Sequence, residues 1–467
     1  MLMGATVTIA QNPNPNPTLN NEIIAAMNYL HLPAASTVIV KKGEIVWRQS
    51  YGLADRQNNK PTQDTTAFMI ASTSKLFTGT ALMRACQNAN ISLDKDINHY
   101  LPFHISIPAF PSDSITFRML MTHTSSLRDS LSLMFAYEVA GDSPIPLGAH
   151  MQSYFDVAGS NYNALTNFYA SKPGTSYHYS NEATALAGYL VELISGMPFD
   201  QYCELNIFQP LCINHTGWHL ADFDTNTVAR PYYYDSTNAA YVTFPHYGYP
   251  DYPNGQLRTT SADLANFMLA YLQHGTFNSN SILSSSSIHQ MLTPQVPFLY
   301  ANQGLNWYKW ILYNDTIPVP VWGHAGGDFG AASQLYIDTI NDIGLAVLTN
   351  GTASPYNTQY FCNILYTYAR KLPVTGIGNP SCVTTDILFN TASRSELKIY
   401  PDPANTVINV DFPSITDYQI EIFNVFGEKI IKLQNQNRVD ISSFANGIYF
   451  LRIKQGNDFY SQNFIKQ

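Results

Sequence analysis

The sequence predicts an α+β protein with a small second β unit, on three observations. Strand-like segments stand near both ends of the stretch 30–372, helical spacing dominates between them, and beyond 397 the texture changes to short alternating segments at close intervals. The first two observations predict one antiparallel sheet built from both ends of a domain, with a helical subdomain packed against it. The third predicts a small C-terminal β-sandwich.

The elements follow in chain order. "MLMGATVTIA" reads as the end of a secretory leader and "NPNPNP" as a Pro-rich spacer, so 1–19 is set apart from the folded chain. "STVIVKKGEIVWRQSYG" alternates around Lys-Gly-Glu and predicts a β-hairpin. From Ser72 to Asn88, Leu76, Leu82, Met83 and Cys86 recur at helical spacing. "ATALAGYLVELISG" predicts a helix stopped at Gly196, and "TTSADLANFMLAYLQHG" one capped by Ser261 and stopped at Gly275. "AASQLYID" and "IGLAVLTN" predict an antiparallel pair, followed by a helix in "YNTQYFCNILYTYARKL". The mixed α+β unit is assigned to 20–372, a linker to 373–396, and the sandwich to 397–467.

Composition narrows the function. Net charge is −9 with no basic tract, which speaks against a nucleic-acid partner. No apolar run reaches the ~18 residues of a membrane-spanning helix, so no transmembrane segment is predicted. Only 12% of residues are charged while tyrosines number 31, a profile that suits work outside the cytoplasm. The five cysteines leave at least one unpaired; Cys203/Cys212 and Cys362/Cys382 are near enough in sequence to bridge, and Cys86 reads as a buried thiol. No Cys-x-x-Cys or His-Glu-x-x-His occurs, His215 and His219 read as structural, and neither metal nor cofactor is expected.

The chemistry starts at "MIASTSKLFT". Ser72 at a helix start lies near free backbone N–H groups and the positive dipole end, and Lys75, almost one turn on, shares its face. Burial and the dipole both lower a lysine's pKa there, so its amine can take the serine's proton or hold a proton relay together. Ser74 faces elsewhere. By itself the pattern is weak, since Ser395–Lys398 repeats it. Tyr179-Ser180-Asn181 before a helix and His324-Ala325-Gly326-Gly327 beside a strand add to it, although Tyr252-Pro253-Asn254 and His246-Tyr247-Gly248 carry the same short patterns.

In order and separation, Ser72-x-x-Lys75, Tyr179-x-Asn181 and His324-x-Gly326 resemble the motifs of serine β-lactamase-like hydrolases: class C β-lactamases, D-alanyl-D-alanine carboxypeptidases and related esterases. "YGLADRQ", "ISLDKDINHYLP", "MLMTHTSSL", "KPGTSYHYSNEA" and "GHAGGDFGAASQLYID" are similar to phrases of that family. The resemblance implies a β-lactamase/transpeptidase-like fold and an acyl-Ser72 intermediate. It implies that Lys75 and Tyr179 share base duty and that Asn181 binds Lys75 or the substrate amide. The oxyanion would be held by the N–H groups of Ser72 and Gly327, with Gly326 and Gly327 letting substrate lie against the strand.

The departures shape the expectation. His324 stands where lysine would supply a permanent charge for a substrate carboxylate, so a peptidase or esterase is expected before a dedicated β-lactamase. If His324 tunes anion binding, activity on carboxylate substrates should rise toward pH 6. Ser126 replaces a glycine of the pattern and predicts a local loop change. The Tyr-rich stretch 230–255 either forms an aromatic lip or packs its rings on the body, the second being the expectation.

Residues 397–467, with "IYPDPANTVINV", "IEIFNVFGEKI" and "VDISSFANGIYFLRI", resemble C-terminal sorting domains of type IX secretion. That resemblance implies the secretion machinery as a partner and a secreted or surface location in a Gram-negative bacterium. The expected function is an exported serine hydrolase acting on a small-molecule or peptide ester, amide or lactam. Its rival is a surface penicillin-binding or adhesive protein without turnover.

Overall fold

The computed structural model describes residues 12–376 and 397–467, apart from 402, 412–416, 425–428 and 456–457. The expected leader at 1–10 and the linker from 377 to 396 lie outside the described residues.

The Asn-Pro stretch is folded onto the body, which corrects the expected spacer. Asn14 Nδ2 donates to Val46 O at 2.8 Å. Asn16 caps helix α1 (Pro17–Tyr29), its side chain accepting from Leu19 N. Asn followed by Pro is also a helix-start signal: the amide oxygen satisfies a free N–H, and proline at the first position has none to satisfy.

The described residues build a seven-stranded antiparallel sheet. Its first strands are β1 (Ala34–Lys41), β2 (Glu44–Asp55) and β3 (Lys60–Pro61); the later ones are β4 (Tyr308–Asn314), β5 (Ile317–Asp328), β6 (Ala331–Asp338) and β7 (Ile343–Thr349). The order β4-β5-β6-β7-β1-β2-β3 joins the two ends of the chain at β7 and β1, in register from Ala35↔Thr349 to Lys41↔Ile343. Period-two alternation feeds both faces. Val38 and Val40 enter the larger core with Leu76, Phe77, Phe267 and Met268, while Ala35 and Ile39 enter a second core under α1 and the C-terminal helix Pro355–Lys371. Strands buried on both faces read as continuous apolar runs, as "TVIV" does.

Between these ends lie α2 (Ser74–Asn88), α3 (Asn181–Ser195) and α4 (Ser261–Leu272). α3 stops where expected, at Gly196 with φ +73°. The cap of α4 is Thr260 rather than Ser261: its side chain accepts from Asp263 N, and the Ser261 hydroxyl is bound to Ser36 instead. Ser126 takes φ +62° and its hydroxyl bonds Ser171 at 2.9 Å, so serine keeps a backbone that suits glycine. Cys86, Cys203 and Cys362 are free and buried, while Cys212 is disulfide-bonded. Neither bridge suggested by proximity in sequence therefore forms. Cys203 is buried in the larger core and Cys362 in the second.

The C-terminal strands form sheets of three (Lys398–Tyr400, Val407–Asp411, Arg438–Asp440) and four (Lys429–Gln434, Tyr418–Asn424, Gly447–Gln455, Asp458–Lys466). Ile408, Val410, Ile420, Ile422, Leu451 and Ile453 fill their shared core.

The sheet edge and the turn that carries Ser72 are one packed unit. A short 3-10 turn, Ala71–Thr73, leads into α2, with Ala71 at φ +45°, a conformation costing an L-residue about 1–2 kcal/mol. Ser333 Oγ on β6 donates to Ile70 O at 2.6 Å and bonds Thr73 Oγ1 at 2.8 Å, and Ile70 N donates to Leu257 O at 2.9 Å. Gly326 on β5 allows this approach: a Cβ there would stand 2.3 Å from Ile70 O and 2.6 Å from Ser333 Oγ. Gly326→Ala should therefore cost about 1–3 kcal/mol, the usual range for overpacking, and slow labelling of Ser72. Urea unfolding and a fluorophosphonate labelling rate check both effects; wild-type values in the variant would show that the contact is not tight.

Candidate active site

Lys75 is completely buried at the start of α2, and three acceptors surround its amine. Nζ lies 3.2 Å from Ser72 Oγ, 2.7 Å from Asn181 Oδ1 and 2.7 Å from Asn254 O. Asn181 comes from the first turn of α3 and Asn254 from the Tyr252–Asn254 turn. Burial lowers the Lys75 pKa to about 7, against the opposing pull of Asp129, Asp251 and Asp328. When the amine is neutral, its two N–H groups satisfy Asn181 Oδ1 and Asn254 O. The lone pair then points at the remaining neighbour, Ser72 Oγ.

Asp129 fixes the amide that makes this work. Its Oδ2 accepts from Asn181 Nδ2 at 3.0 Å and from Asn181 N at 2.9 Å; its Oδ1 accepts from Ser180 Oγ at 2.7 Å and Glu182 N at 3.1 Å. With Nδ2 committed to Asp129, the Asn181 oxygen faces Lys75. The carboxylate also satisfies free N–H groups of the α3 N-terminus.

Tyr179 faces Ser72 from the other side. Burial raises its phenol well above the usual tyrosine value, with Ser72 offsetting part of the rise, and Lys75 Nζ lies 5.0 Å from the ring centre. The buried His123 ring packs 4.5 Å from Tyr179, and its Nδ1 accepts from Ser180 N at 3.2 Å. Burial, then Lys75 and His324, hold its pKa well below the ordinary value, so His123 is a neutral prop.

For His324 the sequence suggests protonation toward pH 6, and its surroundings in the structure act in the opposite direction. Burial, followed by the Lys75 charge, lowers its pKa to about 3. Nδ1 donates to Ala325 O at 2.7 Å, which leaves Nε2 as a lone-pair acceptor, and Nε2 has no partner.

The open cleft, about 160 Å³, is lined by Ser72, Asn181, Tyr249, Gly327 and the carboxylates Glu138, Asp251 and Asp328. Phe135 and Phe329 stand exposed at its mouth, ring centres 6.2 Å apart. The Tyr-rich stretch divides: Tyr232, Tyr247 and Tyr252 are buried in the body, as expected, but Tyr249 reaches the cleft. Among the described residues no group of three His, Cys, Asp or Glu side chains could hold a metal ion.

The structure thus brings together Ser72, Lys75, Tyr179, Asn181, Gly326 and Gly327, with His324 beside Tyr179 at 6.4 Å between ring centres. Sequence reasoning missed three contributors. Asp129 and His123 sit in and just after "MLMTHTSSL", a phrase that marked the family but suggested no role. Asn254 belongs to the Tyr-x-Asn copy set aside as a decoy, and it acts through its backbone oxygen, which no residue pattern displays. Ser74 serves structure, its Oγ accepting from Leu257 N at 3.2 Å.

Comparison with known proteins bears on the family and the fold. The beta-lactamase family model matches residues 19–361. The chain belongs to the beta-lactamase family. Protein flp of Staphylococcus aureus is 22% identical over 322 residues, covering 68% of this chain and 60% of its own length. The chain thus spans about 60% of the length of that curated relative. A penicillin-binding protein from Bacillus halodurans superposes with a TM-score of 0.59 at 23% identity, covering 75% of this chain and all of its own. The D-alanine carboxypeptidase AmpC of Burkholderia cenocepacia gives 0.56 at 22%, covering 75% of this chain and 98% of its own. These two likenesses show a shared fold. Residues 398–467 match the secretion system C-terminal sorting domain, so this family member is an exported protein, secreted or at the surface of a Gram-negative bacterium. Among the described residues no helix is long and apolar enough to cross a membrane.

Asp129→Asn removes the carboxylate that orients Asn181. A misplacement of ~1 Å can cost about a hundredfold. Ester turnover and fluorophosphonate labelling of Ser72 should both fall by roughly that factor; a change under threefold in both would remove Asp129 from the positioning role.

Proposed function

We propose that the protein hydrolyses an ester or amide through an acyl-Ser72 intermediate, and that it is an esterase or amidase before a D-Ala-type carboxypeptidase or a β-lactamase. The Lys75 amine, held by Asn181 and Asn254 with its lone pair toward Ser72 Oγ, carries this reading. The hydrolase unit would span 20–372, extended to the packed residues from 12, with the sorting unit at 397–467 behind a linker.

Neutral Lys75 takes the proton as Ser72 Oγ attacks the carbonyl. The N–H groups of Ser72 and Gly327 hold the oxyanion. Tyr179, protonated across the neutral range, passes its proton to the departing oxygen or nitrogen as the acyl bond breaks and recovers one from Lys75. Water then attacks the acyl carbonyl, the same groups carrying the proton back to Ser72.

The substrate preference follows from charge. A β-lactam or a peptide C-terminus brings a carboxylate. Here the corresponding position offers the neutral His324, and three carboxylates line the wall. The exposed rings of Phe135 and Phe329 suit an apolar portion of the substrate.

Two measurements test this. Ser72→Ala should abolish fluorophosphonate labelling; labelling that survives would reject the nucleophile. For an uncharged nitrophenyl ester, kcat/KM should rise with pH through about 7, where Lys75 loses its proton, and fall about tenfold per unit below. Nitrocefin turnover should stay poor and should not improve toward pH 6. A flat profile from 6 to 9, or nitrocefin turned over faster than the ester, would contradict the mechanism or the preference respectively.

A further inference from the structure

The Tyr252–Asn254 turn supplies one of the two protein oxygens that orient the Lys75 amine, and a buried carboxylate grips that turn. Asn254 Nδ2 donates to Asp251 Oδ2 at 2.6 Å and to Asp251 O at 2.6 Å, while Asp251 O also accepts from Asn254 N at 3.1 Å. Asp251 is 2% exposed and Asn254 5%, so water does not compete for these bonds. A 3-10 turn has poor hydrogen-bond geometry of its own, which leaves its carbonyls to be fixed from outside. Thr78 Oγ1 fixes Pro253 O at 2.6 Å, and the Asp251 carboxylate fixes Asn254 itself, whose own O accepts from Lys75 Nζ at 2.7 Å. The pattern repeats that of Asp129 and Asn181: each asparagine has its amide nitrogen on an aspartate and an oxygen on Lys75.

The titratable groups around Asp251 come from every element packed on it. Glu182 on α3 and His150 on the helix Leu147–Phe155 form a buried pair at 3.0 Å. Asp129, Lys75 on α2 and Tyr137 at the end of the helix Leu131–Tyr137 complete the set. Burial, then Asp129, raises Glu182 well above the usual carboxylate value, and burial lowers His150, so both are neutral near pH 7. Burial, then Glu182, pushes the Asp251 carboxyl up to about 7, with His150 opposing. Burial lowers the Lys75 pKa, and the charges of Asp129, then Asp251, pull it back up.

We propose that Asp251 is a positioning residue for acylation: through the Asn254 amide it fixes the carbonyl that takes one N–H of neutral Lys75, and so aims the lone pair of that amine at Ser72 Oγ. This rests on the acyl-Ser72 reading and deepens it. Asp251 acts through Asn254 and passes no proton to the substrate. Its charge has a second effect on the same amine, holding the proton on Lys75 to higher pH than burial alone would.

The test uses the whole chain and the uncharged ester 4-nitrophenyl acetate, with kcat/KM followed from pH 5.5 to 9. Asp251→Ala removes the grip on Asn254. Its kcat/KM at pH 9 and its rate of fluorophosphonate labelling should both fall about tenfold or more, since a misplacement of ~1 Å can cost about a hundredfold. Asp251→Asn keeps an acceptor for Asn254 Nδ2 and removes the charge. It should regain most of that loss at pH 9, while the rising limb of the profile moves to lower pH by about half a unit or more, a shift that a merely structural residue would not produce. Asn254→Ala should lose about as much as Asp251→Ala, and the double variant no more than either, because the two side chains act as one unit. Circular dichroism shows which variants fold; should Asp251→Ala not fold, Asn254→Ala, which cuts the same bond from the other side, decides in its place. A kcat/KM within threefold of wild type in the alanine variant, a limb unmoved in Asp251→Asn, or losses that multiply in the double variant would each overturn the proposal. If wild type labels at Ser72 and any of these occurs, the Asp251 assignment falls and the serine hydrolase stands; if Ser72 fails to label, both fall.

Discussion

A lysine amine buried without a counterion in direct contact is the constraint on which this molecule depends. An ammonium in that position carries a large desolvation cost, which three hydrogen bonds and the more distant carboxylates offset only in part. The outcome is an amine near its protonation midpoint at neutral pH. Its acceptors come from two places remote in the chain, Asn181 and Asn254, so the lysine's chemistry is available only when α3 and the Tyr252–Asn254 turn are docked on α2. Thr78 Oγ1 donating to Pro253 O at 2.6 Å, one turn further along α2, holds the same turn.

The sheet serves this arrangement from the opposite side. β5 lies against the turn that carries Ser72 without a side chain at Gly326, while β6 reaches past it with Ser333 to grip Ile70 and Thr73. Ser72 therefore stands between a rigid strand edge and a rigid helix start. The strained backbone of Ala71 is held by contacts on both sides, which is how such a conformation persists at a working site. The same closeness leaves Gly327 beside Ser72 in the open cleft, where an N–H is free to meet a carbonyl oxygen.

Much of this could be read from the chain because the signals were local. The hairpin of β1 and β2, the pairing of β6 and β7, and the glycine stop of α3 each rest on periodicity or turn chemistry within a few residues. What stayed hidden was set by tertiary contact. Asp129 looks like any loop aspartate until α3 arrives above it, and Asn254 contributes a carbonyl that every residue has. The histidine at 324 reads in sequence as a titrating group; burial lowers its pKa to about 3, against the opposing pull of its bond to Ala325 O, and no residue pattern displays that burial. Asn-Pro repeats such as 12–17 serve equally as linkers and as helix starts, and the packing of α1 on the second core distinguishes them.

The buried amine can be observed directly. Protein labelled with 13C at the lysine ε-carbon, compared with Lys75→Met to assign the signal, should show Lys75 titrating near pH 7, well below the ~10.4 of a free lysine side chain. A Lys75 signal that stays protonated up to pH 10 would mean that the amine cannot serve as the base at neutral pH, and the account of Ser72 activation would be wrong.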